Sequence, residues 1–253
     1  MIEVDSITFA YPSSPPIFVN FSWQIRRGET WAVLGPSGCG KSTLLYLLAG
    51  LQFPQNGAVR IDGKALTRPR PQTGLILQDY GLLPWATVRQ NAELGLKIRG
   101  FYGPDGTHAP SRVDWDNNVT PWLERLGIET VADHYPSQIS GGQRQRTAIA
   151  RTLVLHPDLL LMDEPFSSLD APTREGLQTL ILQLQTENQL TLVIVTHSIE
   201  EAAFMGKKIL LLAQPPIQQA CILENPQAGS EGYRKSEAYL NLCELLRARL
   251  EQG

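Results

Sequence analysis

A glycine-rich segment that ends in lysine and serine is the part of this chain best suited to chemistry. Residues 35–42 read Gly-Pro-Ser-Gly-Cys-Gly-Lys-Ser and fit the pattern GxxxxGK[ST], between a predicted strand at 30–34 and a predicted helix at 42–49. Glycines let successive backbone N–H groups turn toward phosphate oxygens at the positive end of the helix. Lys41 is then expected to contact the β and γ phosphates, and Ser42 a magnesium ion. The predicted nucleotide-binding residues are Gly35, Pro36, Ser37, Gly38, Cys39, Gly40, Lys41, Ser42 and Thr43.

Three cysteines, Cys39, Cys221 and Cys243, form no CxxC pair, which predicts neither a disulfide framework nor a zinc site. Cys39 stands at the predicted helix start, where a thiolate is favoured, so redox sensing is one interpretation. We favour the other, a small residue that fills a tight loop.

An acidic pair, Asp163-Glu164, follows the apolar run at 159–162. Ligands of open α/β sheets bind at the carboxyl ends of the strands. Asp163 is predicted to hold magnesium directly or through water, and Glu164 to act as the general base for the attacking water. Such a pair is often merely solvated, but its place after the phosphate loop favours the chemical interpretation.

A second anion-binding element follows about 100 residues after the first. Ser140, Gly141, Gly142 and Gln143 open a predicted helix that runs to about residue 155. Serine is a good N-cap, and the two glycines let the backbone approach an anion at the positive helix end.

Together these motifs resemble the ATP-binding cassette (ABC) family over nearly all of residues 1–213, and counterparts of its other motifs stand in the same order at Tyr11, Gln78, Asp170 and His197. The resemblance implies that Tyr11 stacks on adenine, that Gln78 touches the magnesium ion or the attacking water, and that His197 contacts the γ-phosphate. It also implies a head-to-tail dimer with an identical or related chain. In such a dimer the segment that begins at Ser140 contacts ATP bound at Lys41 of the partner.

Four positions depart from the usual pattern of the family: Leu77, Ile139, Ser168 and Ser198. None of these changes removes a catalytic group. We therefore expect an active ATPase that uses ATP and Mg²⁺.

The segment from Gln78 to Asn91 resembles the importers of nitrate, sulfonate and taurine. In that subgroup the corresponding segment and a helical subdomain, here about 82–155, receive a short helix of the permease. The apolar residues 82–85 suit such a groove, although Leu83 and Trp85 are equally expected as core of the subdomain. The resemblance thus implies a membrane permease docking near this segment and a solute-binding protein in the same complex.

The elements that must position these residues predict an α/β fold, and the resemblance implies a P-loop NTPase of the ABC ATPase type. Short apolar runs at 30–34, 159–162 and 190–196 predict a mainly parallel sheet core, and the alternating first 30 residues predict an antiparallel β subdomain. The ATPase domain is expected to span 1–213, with the helical subdomain inserted in it.

Two further segments have no motif of their own. Residues 103–118 look structureless, and a surface loop is favoured over a lid. The tail, 214–253, is expected to end in an amphipathic helix that packs on the core, with one apolar stripe formed by Ala238, Leu242, Leu245, Leu246 and Leu250.

Composition limits the partners. The 253 residues carry 22 Lys and Arg against 25 Asp and Glu, a net charge of -3, which argues against a protein that holds nucleic acid by broad phosphate neutralisation. No apolar run reaches the ~18 residues of a membrane span. A peripheral position on the cytoplasmic face of the membrane is therefore expected, with another chain crossing the bilayer. The alternatives are a soluble ABC ATPase without transport and the ATPase of an exporter.

Overall fold

A computed structural model describes residues 1–102 and 112–252, and the first of its two sheets is antiparallel. Its strands β1 (Ile2–Phe9), β2 (Phe18–Ile25), β4 (Asn56–Ile61) and β5 (Lys64–Ala65) lie in the order β2-β1-β4-β5. The predicted hairpin of β1 and β2 is present. The apolar alternation shifts by one residue inside β1, because a register irregularity between Val4 and Ile7 leaves Ser6 at a φ of 49°.

The second sheet has six strands in the order β10-β9-β3-β8-β7-β6, and only the edge strand β10 runs antiparallel to its neighbour. They are β3 (Thr30–Leu34), β6 (Thr73–Ile76), β7 (Leu159–Asp163), β8 (Thr191–Thr196), β9 (Lys208–Leu211) and β10 (Cys221–Glu224). Every residue of β3, β7 and β8 is buried, as in strands covered on both faces. The predicted α/β fold with a mainly parallel core is confirmed.

Seven helices are described around these sheets. They are α1 (Lys41–Ala49), α2 (Val88–Tyr102), α3 (Arg112–Arg125), α4 (Gly141–Leu153), α5 (Ala171–Glu187), α6 (Ile199–Met205) and α7 (Glu237–Gln252). Within the described ranges, none of these helices has both the length and the apolar character that crossing a bilayer requires.

The six-stranded sheet separates two apolar cores. Because side chains alternate along a strand, Leu159 and Leu161 of β7 face the core shared with α1 and the antiparallel sheet. Leu160 and Met162 face the core shared with the helices between β6 and β7. The sheet therefore ties the antiparallel layer and the helical segment into one body.

Helix α3 corrects one expectation. The segment 103–118 is not structureless throughout, because residues from Arg112 onward are helical, while 103–111 lie outside the described residues. Val119, Leu123 and Leu126 are fully buried at helical spacing. Their burial outweighs the Gly, Pro, Asp and Asn content of residues 103–118, on which the expectation rested.

Helix α7 packs on α6, and the predicted stripe is right at three of its five residues, since Leu246 is buried and Leu242 and Leu250 pack against the same core. Ala238 and Leu245 are exposed, whereas Tyr239 and Cys243 are buried beside Leu246. The ring of Tyr239 lies 5.4 Å from that of Tyr233, and its hydroxyl donates to the carbonyl of Glu200 at 3.3 Å. Tyrosine and cysteine are less apolar than leucine, so a stripe chosen from alanine and leucine spacing missed Tyr239 and Cys243 and wrongly included Ala238 and Leu245.

Candidate nucleotide-binding and hydrolysis site

The glycine-rich loop joins the carboxyl end of β3 to the first residue of α1. Gly38 and Gly40 have φ values of 79° and 102°, in the left-handed region that favours glycine. A Cβ on Gly40 would lie 2.4 Å from Cγ2 of Ile17, and one on Gly35 would lie 2.6 Å from the carbonyl oxygen of Leu212. Both glycines are therefore required by the path of the chain.

Lys41 is buried and folds back over this loop. Its Nζ donates to the carbonyl oxygens of Gly35 at 2.8 Å and Pro36 at 2.9 Å. An ammonium group held by two backbone carbonyls can exchange them for phosphate oxygens, which form stronger charge-assisted hydrogen bonds.

Cys39 is fully buried in the same loop, and burial raises the pKa of its thiol, against the opposing charge of Lys41. A buried thiol with a raised pKa is a poor redox sensor. The structure thus favours the space-filling interpretation of Cys39.

Ser42 and Asp163 meet at the carboxyl edge of the sheet. The hydroxyl of Ser42 donates to Oδ1 of Asp163 at 3.1 Å. Burial raises the pKa of Asp163, and the neighbouring charge of Glu164 adds to this, while the Ser42 bond and the Lys41 charge oppose it.

The pair of oxygen donors fits magnesium, which binds through one or two side chains with waters and substrate phosphates. In the described ranges no group of three or more His, Cys, Asp or Glu side chains could hold a metal ion.

Glu164 and His197 come from adjacent parallel strands, β7 and β8. Oε2 of Glu164 lies 2.9 Å from Nδ1 of His197. Glu164 adopts a φ of 44°, and its N–H donates to the carbonyl of Val195 at 2.9 Å. Strain of this kind persists only where the surroundings impose it, and it commonly marks functional positions.

Tyr11 lies beside the start of α1. Its hydroxyl is 3.3 Å from Oγ1 of Thr43, and its ring packs edge-on against Phe9 at 5.1 Å. The structure therefore brings Tyr11 to the glycine-rich loop. Gln78 lies two residues after β6, exposed, at the same carboxyl edge as Asp163 because β6 pairs in parallel with β7.

The residues that begin α4 form a capping box. The N–H of Gln143 donates to Oγ of Ser140 at 3.2 Å, and the N–H of Ser140 donates to Oε1 of Gln143 at 2.9 Å. A Cβ on Gly142 would lie 2.7 Å from Cγ2 of Thr173, whereas a Cβ on Gly141 would be at least 3.8 Å from its nearest neighbouring atom. The start of α4 thus packs on the start of α5.

Asp170 caps α5 by accepting the N–H of Thr173 at 3.1 Å, and this backbone hydrogen bond lowers its pKa. Its carboxylate therefore has a structural role within the subunit.

Comparison with known proteins decides the family. A sequence model of the family described as ABC transporter matches residues 18–167. This chain belongs to the ABC transporter family.

Its curated relatives are import proteins. The taurine import ATP-binding protein TauB of Pseudomonas aeruginosa is 42% identical over 79% of this chain and 73% of the relative. The nitrate import ATP-binding protein NrtD of Synechocystis is 37% identical over 87% of this chain and 79% of the relative. The aliphatic sulfonates import ATP-binding protein SsuB of Bacillus anthracis is 36% identical over 88% of this chain and 84% of the relative.

Among solved structures, the dimeric ABC transporter cassette MJ0796 matches with a TM-score of 0.76 and 31% identity, over 88% of this chain and 98% of that one. A post-hydrolysis dimer of the same cassette, bound to ADP and phosphate, matches with a TM-score of 0.74 and 30% identity, again over 88% of this chain and 98% of that one. The ABC ATPase fold, nucleotide binding and ATPase activity of the family therefore apply to this chain.

One contributor to the cassette's site was missed by sequence reasoning. Glu201 is buried, and Thr196 donates to its Oε2 at 2.6 Å while accepting the N–H of Ser198 at 3.0 Å. Burial raises the pKa of Glu201, and the Thr196 bond opposes that shift. These bonds fix the backbone on both sides of His197. The signal was an acidic residue four positions after the histidine.

The segment after Gln78 is ordered by Asn91, which is fully buried. Its amide accepts the N–H of Leu83 at 2.8 Å and donates to the carbonyls of Leu83, Ala86 and Thr87 at 2.9–3.1 Å. Within this rigid turn Trp85 is 73% exposed, while Leu82 packs on the core of the cassette. Of the two interpretations left open for Trp85, burial in the core is excluded, and the apolar segment is divided between core and surface.

Proposed function

We propose that this cassette is the ATP-hydrolysing subunit of an importer for a small nutrient such as nitrate, a sulfonate or taurine. The pairing of Glu164 with His197, beside Ser42 and Asp163, is the observation that carries the ATPase assignment. The names of three curated relatives, import ATP-binding proteins for taurine, nitrate and aliphatic sulfonates, support import.

ATP binds along the loop from Gly35 to Thr43. The backbone N–H groups and Lys41 hold the phosphates, and the ring of Tyr11 stacks on the adenine. Ser42, Gln78 and Asp163 would hold Mg²⁺, which would neutralise phosphate charge and help to orient the nucleotide. Lys41 leaves the carbonyls of Gly35 and Pro36 for the phosphates, because a charged acceptor stabilises the ammonium group more.

Hydrolysis is assigned to Glu164 as general base. Its carboxylate accepts the proton of the attacking water while Nδ1 of His197, 2.9 Å away, fixes the orientation of that carboxylate. His197 contacts the γ-phosphate and Gln78 the attacking water. The positions of both side chains therefore depend on whether the bond between the β and γ phosphates is intact.

Dimerisation completes the site. Ser140, Gly141, Gly142 and Gln143 present the N-terminus of α4, and with Asp170 they contact the nucleotide of a second, identical or related, cassette. The dimeric MJ0796 cassettes support this arrangement. Each subunit therefore contributes to two ATP sites.

The permease docks at the segment from Gln78 to Asn91. An exposed tryptophan held on a rigid turn is a suitable anchor for an apolar partner surface. A solute-binding protein delivers the cargo to the permease, and the cassette sits at the cytoplasmic face of the membrane.

Glu164→Gln tests the enzymatic part of the proposal. The amide cannot accept the proton, so turnover of MgATP is expected to fall by at least the ~10²-fold that general bases provide, with ATP affinity retained. Phosphate release and calorimetric ATP binding are the measurements. Glu175→Gln, an exposed carboxylate on α5, is the charge-matched control. Normal steady-state turnover of the Glu164 variant would contradict the assignment.

A further inference from the structure

The segment just after Gln78 is attached to the segment that leads to Asp170. Tyr80 is buried, with a φ of 64°, and its hydroxyl lies 2.6 Å from Oγ of Ser168. Tyr80 is two residues after Gln78, and Ser168 is two residues before Asp170. A single hydroxyl pair therefore joins two segments that both face bound nucleotide in the proposed function, on which this inference rests.

Helix α4 holds the same segment from a second direction. Arg151 donates to the carbonyl of Gly81 at 2.6 Å and to that of Tyr80 at 2.5 Å. Burial lowers the pKa of this guanidinium, with the charge of Asp79 opposing the shift. Moving these carbonyls away would leave the partly buried guanidinium of Arg151 with fewer partners, so residues 80–81 and α4 are expected to move together.

The start of α4 also lies against the segment of Ser168. A Cβ on Gly141 would be 3.9 Å from the carbonyl oxygen of Ser168 and 3.8 Å from Cδ2 of Leu169. Two hydrogen-bonded links, Tyr80 with Ser168 and Arg151 with the carbonyls of Tyr80 and Gly81, and the proximity of Ser168 to the start of α4 therefore arrange the three segments in a circuit.

We propose that the Tyr80–Ser168 hydroxyl pair is a positioning contact that couples Gln78 to the dimer-facing residues of the same subunit. A displacement of Gln78 toward the γ-phosphate moves Tyr80, and the circuit carries that displacement to Asp170 and to Gly141. Neither Tyr80 nor Ser168 touches substrate. Through this contact, closure of the dimer depends on whether the bound nucleotide carries a γ-phosphate.

A double-mutant cycle tests the coupling. Tyr80→Phe and Ser168→Ala each remove one hydroxyl without adding bulk. Each should lower kcat about 3- to 10-fold, the range expected for one hydroxyl–hydroxyl bond, with KM for ATP within about 2-fold. The double variant should be no slower than the slower single variant. Ser168→Thr, which keeps the hydroxyl, should retain most of the wild-type kcat.

A second readout needs no turnover. In a Glu164→Gln background, sedimentation should show the dimer Kd in MgATP raised about 3- to 10-fold by Tyr80→Phe or Ser168→Ala, with unchanged ATP affinity of the monomer. Multiplicative effects in the double variant, or an unaltered dimer Kd and kcat in both single variants, would overturn the coupling. A wild-type chain that binds ATP without hydrolysing it would instead contradict the proposed function, and the dimer Kd would still decide the coupling.

Discussion

At the scale of single residues, the site is built from side chains that pair before any substrate arrives. Lys41 is satisfied by two carbonyls, Ser42 by Asp163, and Glu164 by His197. Each group is therefore already oriented toward the carboxyl edge of the sheet. Holding these groups in place in advance lowers the cost of organising them around the transition state.

Lys41→Ala is predicted to weaken ATP binding about 10- to 100-fold, because a charge-assisted hydrogen bond to phosphate is lost. Calorimetry with MgATP measures the change. Lys64→Ala removes an exposed ammonium group on β5 and should leave the affinity unaltered. Equal affinities of the Lys41 variant and wild type would contradict the phosphate site.

Most of these residues could be predicted because the phosphate loop and the acidic pair have local patterns. The contacts of Glu201 and Asn91 could not, since the position of Glu201 four residues after His197, or of an asparagine after residues 82–85, does not show that the side chain is buried or which groups it bonds. The hydrogen bonds that these two side chains form depend on which carbonyl and hydroxyl groups the fold brings near them.

At the scale of elements, the ends of strands β6 and β7 away from the nucleotide are held by an ion pair. Arg70 makes two hydrogen bonds of 2.5 Å to the carboxylate of Asp158, and both side chains are about a quarter exposed. Burial alone would raise the pKa of Asp158, but Arg70 and Arg27 together lower it. The ionised carboxylate therefore stabilises the folded chain.

Asp158→Asn is predicted to lower the free energy of unfolding by about 1–2 kcal/mol at neutral pH, as expected for a two-bonded, partly buried pair. Because the folded pKa of Asp158 is depressed, its contribution is complete above the ordinary aspartate pKa of about 3.9 and is lost as the pH falls through the folded value. The difference between wild type and variant should therefore shrink below about pH 4.

Asp5→Asn is the matched control for Asp158→Asn. Its partner Arg60 lies 3.1 Å away, but the Asp5 side chain is 61% exposed, so the change should stay within about 0.5 kcal/mol. Urea unfolding of both variants across pH provides the comparison. A pH-independent loss for Asp158→Asn would show that the ion pair is not the cause.

The docking turn gives a second element-scale prediction. Trp85→Glu places a charge on the exposed anchor and is expected to shift the tagged chain, expressed in its native cells, from the membrane fraction to the soluble fraction. Phe53→Glu, at a 46% exposed aromatic outside the turn, should keep the wild-type distribution. Membrane recovery of the Trp85 variant equal to wild type would contradict docking at this turn.

The elements also show why sequence reasoning succeeded unevenly. Fully buried strands such as β3 and β7 appear as uninterrupted apolar runs, and the predicted bounds agree with the structure to within a residue. Helix α3 escaped prediction because its few apolar residues lie among polar ones and a proline. The pairing of β4 with β1 joins segments about 50 residues apart, and no local pattern specifies it.

At the scale of the whole molecule, the two faces of the six-stranded sheet serve different tasks. One core holds α1 and the antiparallel sheet with Tyr11, and the other holds the helical segment with the start of α4. In the proposed function, ATP contacts one part of the cassette, while a second cassette and the permease contact another. This division would let nucleotide chemistry be transmitted to a separate membrane chain.

The central claim is that ATP is hydrolysed between Lys41 of one cassette and the start of α4 of another. Mixing two inactive variants tests it most directly. Lys41→Ala removes the phosphate contact, and Gly141→Asp adds a carboxylate where the structure leaves room for a side chain, so the fold should be retained. Each variant alone should lack turnover, since both of its composite sites are damaged.

In the mixture, a heterodimer has one intact site, formed by Lys41 of the Gly141→Asp chain and Gly141 of the Lys41→Ala chain. Phosphate release from MgATP should therefore appear in the mixture, well above that of either variant. An inactive mixture of folded variants that still form dimers, or full activity of Gly141→Asp alone, would contradict the head-to-tail site.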